Sequence, residues 1–335
     1  MTFLKSLPEK IRTGQPVPWY IDAALAAGSP VYRLGMFLRS LQKPVKVEAR
    51  VISFGNLTAG GTGKTPAVIE RAQQEIAAGN RVSVLTRGYG ATNQIGDKVV
   101  FATANSESSN AATIGDEPAL ILRRVPEVVI AKGADRVAAA RTAMEQHACN
   151  VLILDDGFQY LQLARDENVL VVDATNPFGN GHVLPRGILR EPIDSASRAT
   201  HILLTHCDRV TDAEVAALRE RLQAICPNCP IRTTYHAPDA LWNVRDGSPL
   251  KTVTLQGADV VAVCAIARPE SFVATLESLG ANVVERRYFP DHAQIPPDAL
   301  RSSHMMVVTE KDAVRLGQVS EGVVALGIRL GDWPG

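Results

Sequence analysis

The 335-residue sequence lacks net charge, with 35 Lys and Arg against 35 Asp and Glu. That balance excludes a protein held on nucleic acid by a broad basic field, and nucleic acid is not an expected partner. Long apolar runs are lacking too. None reaches the roughly 18 residues of a spanning helix, because Asp22, Pro30 and Arg33 interrupt the one stretch that approaches it. The chain does not open on a compact charged-then-apolar leader with a cleavage site, so a cytoplasmic location is the default expectation. Cysteine is scarce, five in all, which excludes a disulfide scaffold and fits reduced thiols. Internal repeats and low-complexity tracts are absent. With 46% hydrophobic and 21% charged residues, what remains is an ordinary folding chain of about two domains.

The charge is unevenly spread. Residues 1–50 carry Lys5, Lys10, Arg12, Arg33, Arg39, Lys43, Lys46 and Arg50 against Glu9, Asp22 and Glu48, eight against three, so this stretch is +5 and the remainder −5. In the same stretch Val31, Leu34, Phe37, Leu38 and Leu41 share one side of a helical wheel, with Trp19, Tyr20 and the basic residues nearby. The pattern predicts an amphipathic helical arm over residues 1–46 that lies on an anionic membrane surface. A helix packed on the body of the protein is the alternative.

From Val47 the pattern becomes that of an α/β protein. Apolar runs of strand length recur at Val47–Phe54, Val82–Leu85, Val128–Ala131, Val151–Leu154, Val169–Val172 and Ile202–Leu204. Helical patterns lie between them at Lys64–Ala78, Ala134–His147 and Ala213–Ile225, and such alternation predicts a mostly parallel sheet covered by helices. Ala102–Ala112, rich in Ser, Asn and Ala, reads as a mobile loop. Turn residues at Cys226-Pro-Asn-Cys-Pro230 mark a boundary, with short strand-like pieces beyond it at Ile231–Tyr235 and Lys251–Thr254. A second α/β set follows at Val260–Ala265, Glu270–Leu279, Val283–Tyr288, Met305–Thr309 and Val323–Leu326. The expected organisation is therefore an arm (1–46), a core domain (47–227) and a smaller C-terminal α/β domain (228–335).

One segment carries explicit chemistry. Thr58-Ala59-Gly60-Gly61-Thr62-Gly63-Lys64-Thr65 sits between a buried-type strand and a helix, the context that a phosphate-binding P-loop requires. Its glycines let backbone N–H groups curl around phosphate oxygens, Lys64 reaches the β and γ oxygens, and Thr65 offers a hydroxyl to Mg²⁺. Thr58 stands where the pattern has its first glycine. A P-loop needs a carboxylate at the end of another strand to hold the metal, and Val151-Leu-Ile-Leu-Asp-Asp156 supplies Asp155 and Asp156; the order of their roles is open. These residues predict a P-loop NTPase-like core that binds a nucleotide with Mg²⁺.

The wider set of motifs is more specific. Gly60-Gly-Thr-Gly-Lys-Thr-Pro66, Arg87-Gly-Tyr-Gly90, Gly115-Asp-Glu-Pro118, Leu154-Asp-Asp-Gly-Phe-Gln159, Leu189-Arg-Glu191, Phe289-Pro-Asp-His292 and Val308-Thr-Glu-Lys-Asp312 occur in this order. Together they resemble the tetraacyldisaccharide 4′-kinases, the lipid A 4′-kinases of Gram-negative bacteria. The resemblance implies transfer of the ATP γ-phosphate to the 4′-hydroxyl of an acylated glucosamine disaccharide 1-phosphate, forming lipid IVA. It also implies a peripheral position at the cytoplasmic face of the inner membrane, a requirement for Mg²⁺, and a C-terminal domain that closes over the nucleotide.

The resemblance assigns residues as well. Asp116 is the candidate that activates the sugar hydroxyl; as an acid opening a helical run it is equally well suited to cap that helix. His292 would join it from the C-terminal domain. Gln159, Arg190 and Glu191 are expected to line the disaccharide cleft, and Arg87 and Arg136 to meet the 1-phosphate, which a guanidinium can hold with two hydrogen bonds. Two further features point elsewhere. Thr205-His-Cys-Asp208 echoes the guanine-reading motif of GTPases with His206 in place of Lys, which would suit a GTPase-like switch. Cys226 and Cys229, with His206 and Cys207, are residues of zinc-ligating type, although their spacing matches no common zinc module.

Overall fold

The computed structural model describes residues 7, 10–11, 15–87, 99–317, 319 and 321–334. Strand β1, Arg50–Gly55, is buried at every position after the first, the signature of a parallel strand covered on both faces. It is flanked in parallel by β5 (Val151–Asp155) and β6 (Glu167–Asp173). Beyond β5 lie β2 (Val82–Thr86), β4 (Val129–Lys132) and the short antiparallel β3 (Val100–Ala102); beyond β6 lies β7 (His201–Thr205).

Side chains alternate between two apolar layers. Ile52 and Ile153 pack with Val68, Ile69 and Ala72 of helix α2 (Lys64–Ala77), whereas Val51, Leu152 and Leu154 pack with Ala139, Ala140 and Ala143 of helix α5 (Arg136–His147). Burying each of these Ile and Leu side chains stabilises the fold by roughly 1.5–3 kcal/mol. Asp135 caps α5 through the N–H groups of Val137 and Ala138, and Thr211 with Glu214 forms a capping box on α6 (Asp212–Ile225).

The chain past the expected boundary continues the same sheet. Strand β8 runs unbroken from Ile231 to Asn243, not as the short piece read from the sequence. It pairs in parallel with β7 through Ile231–Thr233 and antiparallel with β13 (Val323–Asp332) along its length. Pro238 obscures this strand in the sequence because proline has no N–H to give a sheet ladder; here it lies opposite Ile328, beside a register shift where the ladder is interrupted. From β13 the sheet continues through β12 (Met305–Thr309), β10 (Asp259–Cys264) and β11 (Asn282–Tyr288), for thirteen strands among the described residues with β9 (Pro249–Leu250) on β8. Most of Lys251–Thr254, expected as a short strand, falls instead in a 3-10 turn, Thr252–Leu255. Helix α7 (Pro269–Ser278) covers β10 through Phe272, Val273 and Leu276.

Two other expectations change. The segment 102–112 is not one loop: a 3-10 turn at Glu107–Ser109 leads into the short helix α3 (Ala111–Ile114), which Asn110 caps by accepting from Thr113 N at 2.9 Å. Cys226 and Cys229, expected as reduced thiols, are joined in a disulfide. The turn that follows α6, closed by Cys229 N donating to Cys226 O at 3.1 Å, brings the two Cα atoms to 5.5 Å.

The arm contains helix α1, Trp19–Ser40. Trp19, Tyr20, Val31, Leu34, Phe37, Leu38 and Leu41 are all exposed, so the body of the protein does not cover the apolar side. Polar contacts hold the helix instead. Arg186 Nε and Nη2 each donate to Asp22 at 2.9 Å, and Ser29 Oγ donates to Val183 O at 3.3 Å. Among the described residues no helix is long and apolar enough to cross a membrane.

Candidate active site

The P-loop leaves β1 at Gly55, where a side chain is sterically impossible: a Cβ there would lie 2.5 Å from Phe158 N. This close approach presses the loop against the Asp155-Asp-Gly-Phe-Gln159 turn. Gln159 Nε2 donates to Asn56 O at 3.0 Å, Asn56 Nδ2 donates to Thr58 O at 2.7 Å, and Lys64 Nζ donates to Asn56 Oδ1 at 3.0 Å. Thr58 is compatible with the loop because it is buried in a β-bridge to Leu189, next to Ala59 N donating to Ile188 O at 2.7 Å. At the other end Gly63 has φ 75° and forms the N-cap of α2 with no side-chain cap, leaving the first N–H groups of the helix directed at an anion site.

The two strand-end carboxylates are in different states. Asp156, at φ 56°, is 3.2 Å from Lys64 Nζ and 2.7 Å from Arg190 Nη1. Burial alone would raise its pKa, but the charges of Lys64 and Arg190 hold it below the ordinary carboxylate value. Asp155 is buried, and its Oδ1 has no hydrogen-bond partner. Burial, reinforced by the charge of Glu117, pushes its carboxyl up to about 7. A buried carboxyl with an unpaired oxygen is a group that a cation would stabilise.

Asp116 opens helix α4 (Asp116–Arg124), yet it is not the cap of that helix. Gly115 is the N-cap, and the Asp116 carboxylate turns to the C-terminal half. His292 Nδ1 is 2.9 Å from Asp116 Oδ2, and Arg315 Nη1 is 3.3 Å from the same oxygen. A carboxylate only accepts, so the imidazole carries its proton on Nδ1; its Nε2 then accepts from Lys311 Nζ at 3.4 Å. Lys311 also reaches Glu117 Oε1 at 3.5 Å, and Arg315 is bonded to Asp312. The far end of α4 is held by the same half of the chain: Arg124 donates to Glu310 at 3.0 Å and pairs with Asp239, and the Arg123 guanidinium sits 3.3 Å from the centre of the Trp242 ring.

The remaining expected residues divide. Gln159 and Arg190 belong to the Lys64–Asp156 group, with Arg190 Nη1 3.5 Å from Gln159 Oε1. Arg136 is buried, with its guanidinium 5.0 Å from the Tyr160 ring centre. Burial lowers its pKa, the charges of Asp156 and Asp155 oppose that, and the charge of Arg87 adds to it. Arg87 is exposed at the end of β2; residues 88–90 of its motif lie outside the described residues. Glu191 does not share this cluster. It is buried and bonded to Arg198, whose guanidinium lies 4.9 Å from the Phe158 ring centre.

His206, in the place of the GTPase lysine, turns its Nδ1 to within 3.1 Å of Asp173. With Cys226 and Cys229 bonded to each other, the four residues of zinc-ligating type do not form one site. Asp156, His206 and His292 are three of the four non-glycine residues with positive φ among the described residues. Such backbone strain concentrates at functional sites. Sequence reasoning gave no role to Asn56, Glu117, Lys311, Asp312 or Arg315. Glu117, Lys311 and Asp312 lie inside quoted motifs, which was the available signal; Arg315 had none.

Comparison with known proteins converges on one family. The sequence profile of the tetraacyldisaccharide-1-P 4′-kinases (LpxK) matches residues 21–330. The chain is 40% identical to tetraacyldisaccharide 4′-kinase of Anaeromyxobacter sp. (strain K) over 324 residues, covering 93% of this chain and 84% of that protein. It is 35% identical to the protein of the same name from Geobacter sulfurreducens over 309 residues, 88% of this chain and 84% of that protein. Its structure is similar to that of LpxK from Aquifex aeolicus crystallised with ATP, at a TM-score of 0.75 and 27% identity, covering 94% of this chain and 96% of that one. The chain belongs to the tetraacyldisaccharide-1-P 4′-kinase family.

Proposed function

We propose that the protein transfers the γ-phosphate of ATP to the 4′-hydroxyl of tetraacyldisaccharide 1-phosphate, the step that forms lipid IVA in lipid A biosynthesis. The observation that carries this reading is the placement of Asp116. It lies next to Glu117, whose charge acts on Asp155 beside the P-loop, and it is held by His292 from the other half of the chain.

In the proposed reaction the 4′-oxygen forms a bond to Pγ as the bond from Pγ to the β-phosphate oxygen breaks, and ADP departs. The hydroxyl proton passes to the Asp116 carboxylate, with His292 and Arg315 fixing the orientation of that carboxylate from its Oδ2 side. Lys64, released from Asp156, neutralises charge that builds on the β and γ oxygens. Mg²⁺ fits the residues present: Thr65 and Asp155 would hold it, Asp155 through its unpaired oxygen, with Asp156 retaining Arg190. Among the described residues no three His, Cys, Asp or Glu side chains form a metal cage, and a magnesium ion held partly by phosphates needs only one or two carboxylates. The ion would supply charge neutralisation between the β- and γ-phosphates.

Gln159 and Arg190 would face the disaccharide, and Arg87 and Arg136 the 1-phosphate. Glu191 would act on the cleft only through the position of Arg190. Residues 228–335 would serve as the smaller domain that closes over the nucleotide, contributing His292, Lys311 and Arg315. The exposed apolar side of α1 would rest on an anionic membrane at the cytoplasmic face of the inner membrane, where the acylated acceptor resides.

The test is incubation of the protein with γ-labelled ATP and the tetraacyl disaccharide 1-phosphate. Acceptor-dependent transfer of label to lipid is expected; ATP binding without lipid labelling would overturn the reading.

A further inference from the structure

A second line of contacts joins the C-terminal half to the P-loop without passing through the Asp116 cluster. It begins at Arg268, the residue that precedes α7. Arg268 Nη2 donates to Asp173 Oδ2 at 2.8 Å, and its Nη1 donates to Thr175 Oγ1 at 2.8 Å. Asp173, at the buried end of β6, also accepts on Oδ1 from Thr175 N at 3.0 Å and Thr175 Oγ1 at 2.7 Å. His206 Nδ1 is 3.1 Å from the same oxygen.

His206 is buried at φ 57°, and its ring meets that of His236 edge-on, with centroids 4.4 Å apart. Both imidazoles lie against the P-loop. A Cβ on Gly63 would be 2.6 Å from His236 Nε2 and 3.6 Å from His206 Cε1. One residue earlier, Thr205 Oγ1 donates to Thr62 O at 2.9 Å in a fully buried contact. Thr62 Oγ1, His206 Nδ1 and His236 Nε2 are buried atoms without a hydrogen bond, so Asp173 meets His206 as an ion-pair contact at 3.1 Å.

Gly63 is the hinge of the nucleotide site. Its left-handed conformation sets the direction in which α2 presents its N-terminus and Lys64. Packing of Thr205, His206 and His236 against residues 62–63 therefore fixes where the phosphates sit, and Asp173 fixes His206. We infer that Arg268 is a positioning residue that, through Asp173 and His206, holds P-loop residues Thr62 and Gly63 in the nucleotide-binding conformation. The C-terminal half thereby adjusts ATP affinity through contacts separate from those of Asp116.

This inference rests on the ATP-dependent reading of the P-loop, and its test separates the two. ATP binding is measured by calorimetry with no acceptor present, and ATP and acceptor KM values are measured in turnover. Arg268→Ala is expected to weaken ATP binding and to raise the ATP KM by about 5- to 10-fold, with the acceptor KM unchanged. Arg268→Lys, which retains a cation for Asp173, should recover part of the loss. In the His206→Ala background, Arg268→Ala should add little, because the connection is already broken. Arg268 is partly exposed, so its removal leaves no core cavity; a purely structural role would lower the melting temperature and leave ATP affinity untouched. Wild-type ATP affinity in Arg268→Ala would overturn the inference, whereas wild-type protein that binds ATP without labelling lipid would overturn the proposed reaction and leave this connection standing.

Discussion

Two charged clusters meet at the site and are built differently. The first, Lys64, Asp156, Arg190 and Gln159, comes from segments that leave neighbouring strands of one parallel sheet, and close packing of Gly55 on Phe158 fixes it. The second, Asp116, His292, Lys311 and Arg315, joins residues 176 to 199 positions apart in the sequence, and its His292 is about half exposed. The first cluster is built on one sheet and persists wherever that sheet is folded. The second is complete only when the C-terminal half lies against α4. On the proposed reaction, proton removal from the acceptor would thereby depend on the arrangement of the whole chain, whereas Lys64 and Asp156 are held by contacts within the sheet.

The largest effect that this contrast predicts is at Lys64. Lys64→Ala should abolish phosphoryl transfer with little change in melting temperature, because the side chain acts on phosphate charge and packs little apolar surface. Loss of a preorganised charge of this kind typically costs about 3–4 kcal/mol of barrier or more. Near wild-type lipid labelling by this variant would remove the P-loop from the mechanism.

A second prediction concerns Asp155, the buried carboxyl that neighbours the first cluster in the sequence. The Asp155 carboxyl ionises near 3.8 in the unfolded chain and at about 7 in the fold. The folded state therefore holds the extra proton between those values, and stability falls as pH rises through that window. Asp155→Asn removes the loss, so in metal-free buffer its melting temperature relative to wild type should rise from pH 4.5 to pH 8, while transfer activity is lost throughout. A difference independent of pH would show that Asp155 is not the strained carboxyl.

The arm should affect neither cluster directly. Changing Phe37 and Leu38 together to Ser should reduce co-sedimentation with anionic vesicles by about tenfold, since apolar burial supplies much of interfacial binding. ATP affinity should not change, and added salt should weaken the remaining basic attraction. Unaltered sedimentation would leave α1 without a membrane role.

The last effect, on stability alone, lies at His236. Burial, then the charges of His206 and Arg209, lower its pKa from 6.5 to about 3. The unfolded chain takes up a proton near 6.5 that the folded chain refuses, so stability falls as pH drops from 6.5 towards 3. His236→Gln should flatten that limb of a melting-temperature profile, and an unchanged limb would assign the acid sensitivity to other groups.

Much of the first cluster was legible in the sequence, because strand, glycine loop, Lys64-Thr65 and the Asp155-Asp156 strand end are local patterns with a mechanical reason for each residue. The parallel core was legible for the same cause: runs such as Val151–Leu154 are apolar throughout, as strands covered on both faces must be. Strand β8 was hidden by Pro238, whose place beside a register shift is a tertiary fact. The Arg315–Asp116 and Arg268–Asp173 pairs had no local signal, since an arginine on a loop looks the same whether solvent or a buried carboxylate waits for it. Asp116 itself, a candidate base, was also suited to cap the helix it opens. Only the position of Gly115 at the N-cap, with the carboxylate turned to His292, separates the two roles.

That separation is the centre of the account, and one double-mutant cycle tests it most directly. Steady-state kinetics on the tetraacyl disaccharide, with a thermal melt for each protein, would compare wild type, Asp116→Asn, His292→Ala and the double variant. Asn keeps the size of Asp and much of its capping ability but cannot take the hydroxyl proton, so kcat should fall by about 10²–10⁴-fold with the ATP KM little changed. His292→Ala should lower kcat less, and the double variant should be no worse than Asp116→Asn alone, because His292 acts through the carboxylate that is already lost. A kcat for Asp116→Asn within a few-fold of wild type, in a protein that melts normally, would contradict the assignment of Asp116 as the base.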